Sequence, residues 1–88
     1  MTLQFPNPSR SYDQTRRAVR FWGYDTSIEY SFFVTADALE QVEPRLKRDE
    51  EGFLGAFDVN RDLIYQTAAR VYSQHRKSRY ELVRTDFR

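Results

Sequence analysis

The chain contains no cysteine. Disulfide scaffolds, thiol nucleophiles and thiolate metal sites are therefore excluded. A disulfide-free domain fits a reducing compartment, so a cytoplasmic location is expected. One histidine, His75, is too few for a histidine-rich metal site. Glycine is scarce as well: Gly23, Gly52 and Gly55 match no phosphate-binding loop. No apolar run approaches the ~20 residues of a membrane-spanning helix. The segment Met1 to Pro6 shows no basic stretch followed by an apolar one, so no signal peptide is expected.

What is present points to one small globular domain. The 88 residues are 40% hydrophobic, 31% charged and 16% aromatic. That balance is globular rather than disordered, and large rings supply much burial per residue. A domain this short hides only roughly 60–65% of its open-chain surface, which allows one core and no deep cleft. Residues 1–88 are read as a single domain, with 1–10 as an extended leader because Pro6 and Pro8 exclude a helix and a central strand there.

Charge is uneven despite a net value of +1. Residues 1–27 carry four basic and two acidic side chains, 28–69 four and nine, 70–88 six and two. Such asymmetry speaks to association rather than to fold, and an ordinary solvated surface produces it too.

Ser11-Tyr12-Asp13 reads as a short edge strand, followed by a polar turn over Asp13 to Arg17. Two alternating runs then follow, Ala18 to Tyr24 and Ile28 to Thr35, both rich in aromatic and β-branched residues. They predict a hairpin with Val19, Phe21, Gly23, Ile28, Tyr30, Phe32 and Val34 on one face. Arg20, Trp22, Tyr24, Glu29, Ser31 and Phe33 take the other. Apolar faces coincide only if the connecting loop has an even length. A four-residue loop, Tyr24 to Ser27, pairs Phe21 with Tyr30 and Val19 with Phe32; Asp25-Thr26 suits a type I′ turn poorly.

Thr35 is a suitable N-cap for a short helix to about Val42, with Asp37 in its first turn and Pro44 ending it. Asp49 caps a longer helix predicted from 50 to about 75. Its stripe is Phe53, Phe57, Ile64, Ala68 and Val71, with Asp58, Arg61, Asp62, Tyr65 and Ala69 toward solvent. Tyr80 to Arg84 closes the fold as a last strand. The order β-β-β-α-α-β predicts an α+β domain: a mostly antiparallel sheet of three to four strands with two helices packed on one face.

Two surfaces follow as candidates. The second sheet face offers Arg20, Trp22, Tyr24 and Phe33 for interaction, unless the leader or a second copy covers it. The basic end offers Arg70, Arg76, Lys77, Arg79 and Arg84 for phosphate contacts, although such charges also deter edge-to-edge aggregation. No catalytic constellation emerges. His75 complements a helix C-terminus, Asp58 and Asp62 have Arg61 between them, and Asn60 reads as a structural amide at a bend near Val59.

The ordered segments FPNPSRSYD, VRFWGYD, EYSFFV, ADAL, FDVNRDLI and YELVRTDF resemble a small bacterial family, domain of unknown function 1488, across essentially the whole chain. The resemblance implies a compact cytoplasmic α+β protein and brings no activity, cofactor or catalytic residue. The expected function is a non-enzymatic protein-interaction module using the open sheet face. Its partner is a protein or a second copy of the chain, as in a homodimer. A nucleic-acid-binding accessory role is the alternative. No cofactor, metal or membrane partner is expected.

Overall fold

The computed structural model describes residues 3–88; the first two residues of the expected leader lie outside that range. The elements are β1 (Ser11–Asp13), β2 (Ala18–Asp25), β3 (Ile28–Thr35), α1 (Ala36–Val42), α2 (Glu50–Val59), α3 (Arg61–Gln74) and β4 (Arg79–Leu82). A 3-10 turn, Arg84–Phe87, follows. The sheet order is β1-β2-β3-β4. The first two pairings are antiparallel, and β4 runs parallel to β3. The expected α+β class and mostly antiparallel sheet hold, with two differences: the last pairing is parallel, and three helices rather than two form the crossover to it.

Alternation in β2 and β3 places one set of side chains in the core. Val19, Phe21, Phe32 and Val34 are fully buried against Leu39, Phe57, Ile64, Tyr80 and Leu82. Phe32 lies between the rings of Phe21 (5.4 Å) and Tyr80 (4.9 Å). The parity of the sequence reading holds and its register does not. Phe21 faces Phe32 and Val19 faces Val34, two positions from the expected partners. The reason is the turn. β2 continues through Asp25, and the loop is Thr26-Ser27. Thr26 has a φ of 61°, the sign a type II′ turn needs at its first loop position. At this end of the sheet the Tyr72 hydroxyl donates to Asp25 Oδ2 at 2.5 Å. Ile28, paired with Asp25, is left 57% exposed rather than in the core.

The helix starts are set by their caps. The Thr35 hydroxyl accepts from the Ala38 N–H at 3.1 Å. The Asp49 carboxylate accepts from the Gly52 N–H at 2.8 Å, which holds its pKa below the usual carboxylate range. The single long helix expected over 50–75 is instead two helices that meet at Asn60. Its side-chain Nδ2 donates to the Ala56 carbonyl at 2.9 Å and to Glu43 Oε1 at 3.3 Å. The Ala56 carbonyl accepts both from this amide and from the Asn60 N–H at 3.1 Å, so Asn60 closes α2 as its C-cap. Its carbonyl then accepts from the Ile64 N–H, which starts α3.

The leader lies along the free edge of β2. Gln4 and Tyr24 exchange both backbone hydrogen bonds at 2.8 Å. Leu3 and Phe5 thereby turn to the helix side, where Phe5 stacks on Tyr65 at 4.1 Å. Tyr65, expected in solvent, is half-buried for that reason. Gly23 supplies the space: a Cβ there would stand 3.0 Å from both Phe5 and Phe32.

Candidate functional site on the open sheet face

Strand pairing fixes a grid on the face opposite the helices. One row runs Ser11, Arg20, Phe33, Glu81; the next runs Trp22, Ser31, Arg79; a third holds Tyr24 and Glu29. Among the described leader residues, Leu3 and Phe5 pack on the other side, while the Asn7 side chain meets the Tyr24 hydroxyl at the margin of this face. Arg20 and Glu29 are exposed, and Trp22 and Tyr24 are half-buried. The Arg20 guanidinium lies 5.2 Å from the Trp22 ring centre and donates to Ser31 Oγ at 2.9 Å. The Tyr24 hydroxyl donates to the Glu29 carboxylate, which raises the phenol's pKa; an opposing bond with the Asn7 side chain lowers it.

Phe33 differs from the other three candidate residues. By parity it belongs to the open face, yet it is only 4% exposed. Its cover is cationic: the guanidinium carbons of Arg16 and Arg20 lie 4.9 Å and 5.6 Å from its ring centre. Cations over a ring face are attracted by its quadrupole. Arg16 is held in place by Asp13, whose carboxylate accepts from the Arg16 N–H and from its guanidinium, both at 3.0 Å. Those bonds lower the Asp13 pKa, the backbone one most. Beside Phe33 a pocket of about 260 Å³ is lined by Arg16, Lys77, Arg79, Tyr80 and Glu81.

The basic end is not one surface. Arg70 donates to the Asp86 carbonyl at 2.6 Å, Arg84 pairs with Glu40 at 3.7 Å, and Arg76 lies over the Tyr72 ring at 4.6 Å. These three serve the chain's own packing. Lys77 and Arg79 join Phe33 at the pocket. The parallel placement of β4 beside β3 therefore merges part of the basic end with the aromatic face. Sequence reasoning missed Arg16, because a turn residue carries no face parity. The Asp at position 13, three residues earlier, was the available signal.

The remaining candidates are structural. His75 is the exposed C-cap of α3. Asp58 lies between Arg10 (2.8 Å) and Arg61 (2.6 Å), which hold its carboxyl below the usual range, Arg10 most. The α2–α3 break separates it from Asp62. Among the described residues no cluster of His, Cys, Asp and Glu has metal-site geometry, and no helix is long and apolar enough to cross a membrane.

The fold is shared. A crystal structure of a DUF1488-family protein of unknown function from Shewanella loihica PV-4 superposes with a TM-score of 0.81. The match covers 92% of this chain and 91% of that one at 15% identity. Comparison with curated proteins finds no match. The family model described as "Protein of unknown function (DUF1488)" matches residues 3–83, and the chain belongs to that family, whose function is unassigned.

Proposed function

We propose that the protein is a non-enzymatic, cytoplasmic interaction module that binds a protein partner through the open sheet face. The observation that carries this is the arrangement of Arg20, Trp22 and Tyr24 on a face that no helix or strand of the described chain covers. Surfaces that combine large rings with arginine are enriched at protein interfaces, where such residues supply most of the binding energy. The non-enzymatic reading is supported by how the reactive side chains are used. His75 caps a helix, and Asp58 is bound by two arginines.

The test is affinity capture from native lysate with the wild-type chain and with a Trp22→Ala/Tyr24→Ala double variant. The variant is expected to keep its far-ultraviolet circular dichroism and to lose the proteins that the wild type retains. An unchanged set of retained proteins overturns the reading.

A further inference from the structure

The pocket beside Phe33 gathers cations around a buried ring. Four cations from separate stretches of chain surround one ring: Arg16 from the β1–β2 turn, Arg20 from β2, Lys77 from the α3–β4 link and Arg79 from β4. Arg16 is bonded to Asp13 and Arg20 to Ser31. Among the described residues the side chains of Lys77 and Arg79 have no hydrogen bond or ion pair. Glu81 is the single acid on the lining. Lys77 and Arg79 are exposed and unpaired beside a buried ring, so an anion arriving there meets two cations at once and accepts charge-assisted bonds from both.

The rest of the face says which anion. Phe33 is capped by guanidinium groups and cannot stack a base. The Tyr24 hydroxyl is taken by Glu29. Asp13, Glu29 and Glu81 are interleaved with the cations and would repel a run of phosphates. Trp22 and Arg79 occupy one row, two strands apart, which is about 10 Å at the usual strand spacing. A single short protein segment reaches both.

We infer that the open face binds a protein segment carrying one isolated acidic side chain, its carboxylate seated between Lys77 and Arg79 and an apolar side chain laid against Trp22. This rests on the reading of the face as an interaction surface and names the chemistry of the partner.

Trp22 is the chain's single tryptophan, so its emission reports directly on the face. The protein is titrated with an otherwise uncharged peptide carrying one Glu near a Leu, its Gln counterpart and a thymidine oligonucleotide, at low and high salt. The acidic peptide is expected to shift the Trp22 emission saturably, and more weakly as salt rises. A Lys77→Ala/Arg79→Ala variant is expected to bind about tenfold more weakly or worse, the loss of one or two charge-assisted bonds. Its melting temperature should be unchanged. The inference is overturned if the Gln peptide binds as well, if the variant binds equally, or if the oligonucleotide binds more tightly. It is likewise overturned if sedimentation shows that the face is filled by a second copy. Failure here with continued dependence of lysate capture on Trp22 and Tyr24 would remove the acidic partner and keep the interaction surface.

Discussion

The hydroxyl of Tyr72 donates to Asp25 Oδ2 at 2.5 Å, joining α3 to the hairpin turn across 47 residues of chain. Both residues are buried, and Tyr72 also packs edge-on to Tyr30 at 5.1 Å. The bond keeps the proton on the phenol and raises its pKa, with the Asp25 bond the main cause. It also explains why β2 runs one residue further than its aromatic pattern suggests. A buried carboxylate needs a donor, and the donor stands beneath position 25.

Tyr72→Phe keeps the ring and removes the donor. A buried group left without its hydrogen bond is destabilising, and the melting temperature is expected to fall by roughly 5–10 °C. The wild type should also lose stability as pH rises past about 10. The folded phenol then holds a proton that the unfolded one releases, so the contribution is complete below the ordinary tyrosine pKa and fades above it. Melting curves between pH 8 and 11 check both points, and Tyr72→Phe should flatten the alkaline limb.

The two glycines of α2 predict opposite outcomes for one substitution. A Cβ at Gly52 would stand 1.8 Å from the Lys47 carbonyl oxygen, which is backbone and cannot rotate away. A Cβ at Gly55 meets nothing within 4 Å. Gly55→Ala is expected to stabilise by about 0.5–1 kcal/mol through helix propensity. Gly52→Ala should destabilise, since the loop at 47–49 must shift and the Asp49 cap with it. Urea midpoints of the two variants decide the matter.

Much of this architecture was legible in the sequence because it rests on local chemistry. The period of two in β2 and β3 separates Phe21 and Phe32 from Arg20 and Trp22 whatever the partner strand. Thr35 and Asp49 announce helix starts because each cap is made within three residues. What escaped depends on distant residues. The register turned on Tyr72 reaching Asp25. The break at Asn60 turned partly on Glu43 standing within reach of its amide. The candidate site was half legible. Arg20, Trp22 and Tyr24 follow from parity, whereas the seat at Phe33 exists only because β4 pairs parallel to β3.

Asp58 ties the leader to the α2–α3 junction through Arg10 and Arg61. Its lowered pKa makes a contribution that is present above the ordinary aspartate value and lost as pH falls through the folded one. The pair partners are partly exposed, so the contribution is about 1 kcal/mol at most. Asp58→Asn should leave stability at pH 7 slightly lower and flatten the acid limb below about pH 4. Limited proteolysis near Ser9 and Arg10 should become faster in the variant. An unchanged acid limb would mean that other carboxylates set it.

Adjacent residues on opposite faces give the sharpest contrast. Phe21 is fully buried among Phe5, Phe32 and Phe57. Phe21→Ala is expected to cost about 3–5 kcal/mol, a large share of the stability of a domain that is typically about 5–15 kcal/mol. Trp22 lies on the far face beneath Arg20, outside the core. Trp22→Ala should cost roughly 1 kcal/mol or less, the loss of partial burial and one cation–ring contact. Phe33→Ala belongs between them, at about 2–3 kcal/mol, because its cover is guanidinium rather than helix and can close over a smaller side chain. Urea denaturation followed by circular dichroism orders the three. A Trp22→Ala cost equal to that of Phe21→Ala would place the indole in the core and leave the open face without its central ring.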